Sequence, residues 1–351
     1  MTESMISKRW FVLSDGARPT EDIYFLESAA PGLRAEGLDI GRLDVRGLRW
    51  RLARWVLSRQ MGANLVICRS LPVYALRWLE RQRDLFGRIV YLVDDDIPAA
   101  AEDEGLPAAY RQRMARLAEM QPRWLALADV VVTCSERLAA SLAGRHADVR
   151  VLTPPLIAPL PDLAHFETAG AEPGKWRLGF HGTRAHLPDL QHIASALIRL
   201  HDERPAVSLE VMMGRHTPPE LRGLARLKAP DARSWKAFRR YQQQHRLHIG
   251  LAPLLDSAFN RGKSFIKFLD ISAMGGVGIY SRRAPYTDIV EDGVTGLLVD
   301  DTPQAWHDAL HYLCDNPETT RRMAENAARV ARQRGDPAQA VAFWRRLSSG
   351  N

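Results

Sequence analysis

Short apolar runs alternate with helix-length segments along almost the whole chain, and this rhythm restricts the fold more than any motif does. "RWFVLSD" is followed by a helical stretch at 20–36, "LDIGRLD" by one at 47–61 and "NLVICRS" by one at 72–83. "RIVYLVDDD" precedes a helix at 107–126, "DVVVTCS" one near 136–144, and "VRVLTPPL" closes the series. Parallel neighbours need a crossover, and helices supply it, so this pattern predicts a parallel sheet covered on both faces. The composition then changes: "TPPLIAPLPDLAHFETAGAEPGK", 153–175, is rich in the proline and glycine that interrupt regular structure. After it the rhythm restarts with "WRLGFHGT", a helix at 187–203, "VSLEVMMG", helical stretches to about 246 and "HIGLAPL". A helix from 263, "GVGIYS", "TGLLVDD" and a helical tail from 303 complete it. The expected class is α/β, with two doubly wound domains facing a cleft. The expected division is 1–157, a linker at 158–175, a second domain at 176–335, and a helix at 336–351 packing back on the first domain. A chain of 351 residues is long enough for two such domains.

Ligands of doubly wound sheets bind at the carboxyl ends of the strands, so strand-end residues are the candidates. In the second domain these are His181, Gly182, Thr183 and Arg184, then the loop 255–264 with Asn260, Lys263 and Ser264. Glycine lets a ligand approach the backbone, and arginine with lysine suits a diphosphate. The Gly262-Lys263-Ser264 triplet is not a complete P-loop, because Ser257 stands where that pattern requires its first glycine. A helix beginning near Lys263 still offers free N–H groups and a positive dipole end to an anion. On that helix Lys263, Lys267 and Asp270 share one face, which reads equally as a ligand face or as a solvated, salt-bridged one. In the first domain the Asp15-Gly16 turn and the run Asp94, Asp95, Asp96 face the same cleft; the run also reads as a cap before Pro98. Gly275, Gly276 and Gly278 run from helix to strand, the wrong direction for a dinucleotide fingerprint. His245 and His248 lack the glutamate of a zinc protease motif.

The charge has an uneven distribution. The net charge is +7, and residues 45–79 carry seven arginines and no acidic residue. Within "RGLRWRLARWVLSRQ", Leu48, Leu52, Trp55 and Val56 fall on one helical face with arginines around it. The first expectation for such a stripe is packing against the protein's own core; the alternative is an interfacial helix lying on an anionic membrane. No apolar run reaches the ~18 residues of a membrane span, no secretion signal is visible, and Cys68, Cys134 and Cys314 have no metal or disulfide spacing. The expected location is cytoplasmic, at most peripheral to a membrane.

Longer stretches carry a resemblance. "HIGLAPLLDSAFNRGKSFIKFLDISAMGGVGIYS" and "APYTDIVEDGVTGLLVDD" resemble the donor-nucleotide half of GT-B glycosyltransferases, nearest to the retaining, family-4-like bacterial enzymes that build surface polysaccharides. "GFHGTRAHLPDLQHIASAL" resembles the opening of that domain, and "RIVYLVDDDIPAA" with "ADVVVTCSERLAASL" the acceptor half. The resemblance implies two Rossmann-like domains and transfer of a hexose from a nucleoside-diphosphate sugar to a glycan or lipid-linked acceptor. It implies no cofactor and no metal; nucleic acid is not an expected partner. It implies that Asp270 bonds the donor ribose and that Lys263 and Arg184 hold the diphosphate. Lys263, Arg184 and Asp95 are then the catalytic candidates. His181, Gly182, Thr183, Asn260, Ser264, Lys267 and Asp270 are the donor contacts. Asp15, Gly16, Asp94 and Asp96 lie on the acceptor side, where an Asp-x-Asp metal site would belong to the other, one-sheet glycosyltransferase fold. The chain departs from the family at Gly262, which replaces the first of two glutamates, and at Asp270, which replaces the second. A nucleotide-sugar binder without turnover and a nucleotide-sugar epimerase of the same plan stay open beside the transferase.

Overall fold

The computed structural model describes residues 8–16, 18–169 and 175–348. The first sheet contains β1 (Arg9–Ser14), β2 (Asp39–Asp44), β3 (Asn64–Cys68), β4 (Ile89–Val93), β5 (Val130–Thr133) and β6 (Val149–Val151) in the order β2-β1-β3-β4-β5-β6. The second contains β7 (Trp176–Phe180), β8 (Val207–Val211), β9 (Leu227–Lys228), β10 (Ile249–Ala252), β11 (Val277–Ser281) and β12 (Gly296–Val299) in the order β12-β11-β10-β7-β8-β9. Every pairing within the two sheets is parallel. The order reverses between β1 and β3 in one sheet and between β7 and β10 in the other, and at such points the loops diverge and leave a crevice. The inner strands β3, β4 and β5 are buried along their whole length, as the continuous Val, Ile and Leu of a sheet covered on both sides require. β9 was not expected, because a two-residue strand is too short to show a period.

Glycine sets how closely one important helix lies on its sheet. A Cβ on Gly250 in β10 would sit 2.4 Å from Ile271, in the helix Ile266–Ala273 that carries Lys267 and Asp270. That helix corrects an expectation. It starts at Ile266, so Lys263 lies in the preceding loop and not at a helix terminus, and the three residues do not share one helix face. The loop is held out of helical geometry by bonds to the first domain, among them Ser135 Oγ donating to the Gly262 carbonyl at 2.8 Å. The helix expected at 20–36 is likewise broken, into Arg18–Glu21, a π-turn at Asp22–Leu26 and Ala30–Ala35.

The basic helix, Arg49–Leu57, corrects a second expectation. Ala53 and Leu57 are buried, and Trp50 packs on Tyr74 and Trp78 with ring centroids 6.0 and 5.5 Å apart. Leu48, Leu52 and Trp55 point away from this row and are 81, 66 and 54 % exposed. The helix has two apolar rows, and the core takes only one.

Three helices end the chain: Pro303–Asp315, Pro317–Arg334 and Pro337–Ser348, each with proline in the first turn, where no N–H is missed. The last returns to the first domain. Trp344 packs tilted on Phe25 at 4.3 Å and edge-to-face with Trp10 at 5.8 Å, and its indole N–H donates to the Tyr24 carbonyl at 2.7 Å. The two crossings between domains lie side by side, with Leu156 N–H bonded to the Gly335 carbonyl at 2.7 Å. Of the proposed linker, residues 170–174 lie outside the described residues.

Candidate functional site

The carboxyl ends of the two sheets meet along a seam. From the first sheet come the loops after β3, β4 and β5; from the second comes the loop after β10. Tyr110 and Phe259 pack across it at 6.3 Å, and the Tyr24 hydroxyl stands 3.5 Å from Ser264 Oγ.

Two carboxylates and two cations occupy the centre. Lys263 Nζ is 2.5 Å from Asp95 Oδ1, and the Arg69 guanidinium bonds the other Asp95 oxygen. Arg69 Nε lies 3.4 Å from Asp94 Oδ1, while Thr20 Oγ1 donates to Asp94 Oδ2 at 2.8 Å. Burial raises the pKa of both carboxylates, but the outcomes diverge. For Asp95 the charges of Lys263 and Arg69 outweigh burial and hold the group well below the usual carboxylate range. For Asp94 burial wins, helped by the neighbouring Asp95 charge, and its pKa is raised. Two adjacent carboxylates driven in opposite directions, one ionised and one more easily protonated, are a common signature of functional sites. Lys263 also loses hydration, yet Asp95 more than compensates and raises its pKa, so it stays cationic. Its ammonium also sits 3.9 Å from the Phe259 ring centroid.

Arg69 was not among the sequence candidates, although it directly follows β3 and the strand-end rule covers it. Its φ of +61° is one that a residue with a Cβ adopts at a cost of about 1 kcal/mol or more. Two bonds hold it: Arg69 N–H to the Leu92 carbonyl at 2.8 Å, and the Tyr91 hydroxyl to the Arg69 carbonyl at 2.9 Å. Asp15 is tied to Ser70 Oγ at 2.9 Å beside this centre, at the β1–β3 switch point, and Gly16 turns with φ +98°. Asp96 has a different task. Its side chain accepts the Ala99 N–H at 3.1 Å and caps the helix Ile97–Glu102.

The remaining donor-side candidates have distinct partners. His181, the first residue after β7, bonds Glu210 at 2.7 Å, and the Tyr241 hydroxyl donates to the same carboxylate. A Cβ on Gly182 would meet the Phe180 ring at 2.7 Å, so any side chain there would have to displace that ring. Lys267 donates to the His181 carbonyl, and burial with the nearby Lys263 lowers its pKa. Asn260 donates to Asp189 at 3.2 Å and to the Leu255 carbonyl at 2.9 Å; it braces the loop from within. Asp189 also receives His186 at 3.0 Å. Asp270 accepts from Gln242 at 3.0 Å and lines a narrow crevice with Ile23, Trp235, Leu156 and Ile157. Thr183 and Arg184 are exposed, and the Arg184 carbonyl accepts the Leu187 N–H while its guanidinium has no hydrogen bond or ion pair among the described residues. The structure therefore brings Lys263, Asp95 and Asp94 together at the seam, with Ser264 beside them. Arg184 is not joined to that cluster; its charge acts on His216, in the loop after β8. A roomier cavity of about 470 Å³ is lined by Arg177, Arg226 and the His181 partners Glu210 and Tyr241, and neither Lys263 nor Asp95 lines it.

Two facing, doubly wound domains with the site at their seam define the GT-B fold, and solved structures agree. The chain is similar to HepE of Anabaena, solved with UDP and glucose, with a TM-score of 0.64 and 14 % identity over 98 % of this chain and 100 % of that one. It is similar to sucrose-phosphate synthase of Thermosynechococcus elongatus, with a TM-score of 0.69 and 14 % identity over the same shares. A Listeria monocytogenes structure assigned as a UDP-N-acetylglucosamine 2-epimerase gives a TM-score of 0.55 and 12 % identity over 98 % of this chain and 96 % of that one. No family model and no curated protein matches the chain. At such identities the likeness is one of fold.

Proposed function

We propose that this protein is a glycosyltransferase that moves a hexose from a nucleoside-diphosphate sugar to a glycan or lipid-linked acceptor, with retention and without a metal. The observation that carries this reading is the seam. A lysine on the loop after β10 is kept cationic between two domains whose strand ends face each other. In that position an ammonium neutralises a leaving diphosphate without reorganising at the moment of reaction. Exposed Arg184 offers a second, unspent cation, and with both charges supplied by side chains no divalent ion is needed to balance the diphosphate.

Asp95 pairs with the lysine across the seam. Donor binding exchanges one anion for another and frees the Asp95 carboxylate toward hydroxyl groups. This accommodates the departure at Gly262, where resembled enzymes carry a glutamate. The missing carboxylate is replaced from across the seam, where Asp96 Cβ lies 3.4 Å from the place of a Cβ at Gly262 and Asp95 reaches the adjoining Lys263. Asp270, in its crevice, takes the ribose hydroxyls. Closure of the domains keeps water from the activated sugar.

The exposed row Leu48, Leu52 and Trp55, surrounded by arginines, supports peripheral docking of the first domain on an anionic membrane, where a lipid-linked acceptor would be reached. No helix of the described residues is long and apolar enough to cross a membrane. The test of activity is incubation with UDP-, GDP- and dTDP-sugars, with and without acceptor lipids or glycans, in EDTA. Acceptor-dependent nucleotide release is expected. Isomerised donor with no acceptor requirement would establish the epimerase reading, and binding with no turnover the inactive relative.

A further inference from the structure

On the outer face of the second domain, far from the seam chemistry in sequence and role, three side chains converge on one point. Glu203 ends the helix Ala194–Glu203, and His307 and His311 stand one turn apart on the neighbouring helix Pro303–Asp315. The i, i+4 spacing points both imidazoles the same way. Their Nε2 atoms lie 2.8 and 2.7 Å from the same oxygen, Glu203 Oε2, and the ring centroids are 4.4 Å apart. We propose that Glu203, His307 and His311 form a binding site for one divalent transition-metal ion, with water completing the coordination.

The geometry is close to what such an ion requires. A tetrahedral zinc with ligands at about 2.0–2.1 Å holds its donor atoms about 3.3 Å apart. Here the carboxylate oxygen lies 2.8 and 2.7 Å from the two nitrogens and all three donor atoms lie within 4.8 Å of one another, so the carboxylate must move out by roughly half an ångström and the imidazoles turn toward a common point. Two imidazoles and one carboxylate select zinc, cobalt, nickel or copper over magnesium and calcium, which prefer all-oxygen shells. Glu203 is exposed, which leaves an entry path and an open fourth position.

A second observation points the same way. The His307 side chain is 8 % exposed, and its Nδ1 is buried without a hydrogen-bond partner. With Nε2–H given to Glu203, that nitrogen is an acceptor with no donor, an arrangement that buried polar atoms rarely keep. A metal on Nε2 moves the proton to Nδ1, where the Asp308 carboxylate, now 3.6 Å away, can close and accept it. Carboxylates in that role orient metal-binding histidines. His311 must make the same exchange. Its Nδ1 now accepts from Arg204 Nη2 at 2.8 Å, and on metal binding Arg204 retires to Asp315, already 2.6 Å away. The loaded site ties two outer helices of the domain together.

The test uses the full chain, stripped with EDTA and dialysed. Titration with Zn2+ by calorimetry is expected to show one equivalent bound, and Co2+ at the site gives visible d–d absorption that Zn2+ abolishes. Saturating Zn2+ should raise the melting temperature by a few degrees, since the ion binds only the folded state. Glu203→Gln and the half-exposed His311→Gln should each weaken Zn2+ affinity at least tenfold. Their metal-free melting temperatures, measured alongside, separate lost binding from lost folding. Absence of stoichiometric binding by the wild type, or wild-type affinity in both variants, overturns the site. Because the site is remote from the seam, neither result bears on glycosyl transfer.

Discussion

Lys263 is where charge, burial and catalysis bear on a single residue. It is the cation on the loop after β10 that meets the first domain's carboxylates, and those carboxylates read in the sequence as a strand end or as a cap. The pairing itself spans 168 positions, and no local pattern in a sequence encodes a contact at that range. Legibility therefore varied by residue. Lys263 and Asp95 were found by the strand-end rule. Arg69 was passed over because a lone arginine after a strand has no motif. Asp96 carried both of its readings, since a carboxylate before proline suits a cleft and a cap alike. Replacing Lys263 by alanine leaves Asp95 and Asp94 with Arg69 alone. Turnover should fall on the order of a hundredfold, and stability by as much as about 3–5 kcal/mol, the cost of breaking a buried pair. Adding Asp95→Asn should recover most of the stability and none of the turnover. Urea unfolding and kcat/KM measured on both variants check this; glycosyl transfer near the wild-type rate in Lys263→Ala would remove the residue from catalysis.

A helix shows what sequence periodicity can and cannot tell. In Arg49–Leu57 with its N-cap Leu48, the row Trp50, Ala53, Leu57 and the row Leu48, Leu52, Trp55 both repeat at helical spacing. Periodicity reports a face but not what covers it, and here the more conspicuous row is the uncovered one. Arg46 and Arg49 are bound to Asp44 at 2.8 and 2.5 Å, and Arg59 lies over the Trp55 ring at 4.2 Å. Arg51 and Arg54 remain the exposed charges best placed to meet a headgroup. Each basic residue near an anionic surface contributes about 1 kcal/mol, screened by salt. Arg51→Glu with Arg54→Glu should therefore reduce sedimentation with anionic vesicles by at least tenfold while leaving the melting temperature within a degree or two. Equal binding to neutral and anionic vesicles by the wild type would count against docking. The helix from 266 teaches the same lesson in reverse: its start slipped three residues because bonds from the other domain, such as Ser135 to Gly262, hold the loop open.

At the scale of the whole molecule, the alternation of strands and helices was enough to anticipate two parallel sheets; the order of strands and the seam between sheets depend on contacts too distant for it to show. The returning helix Pro337–Ser348 is one of those contacts. Truncating Trp344 to alanine should cost the first domain about 3–5 kcal/mol, the range for large aromatic side chains removed from a core. Limited proteolysis resolved by fragment should show cleavage rising in residues 8–150 and unchanged in 176–334; the opposite pattern would mean that the tail stabilises the second domain instead. The same helix sets an order of assembly. Chains grow at about 5–20 residues per second, so Trp10 and Phe25 leave the ribosome well before Trp344 does, by some 15 seconds to about a minute. The second domain, contiguous between the two crossings at Leu156 and Gly335, emerges whole just ahead of Trp344. The domain whose synthesis starts first is thus the one completed last, and until Trp344 docks it leaves Trp10 and Phe25 open to a chaperone or a neighbouring nascent chain.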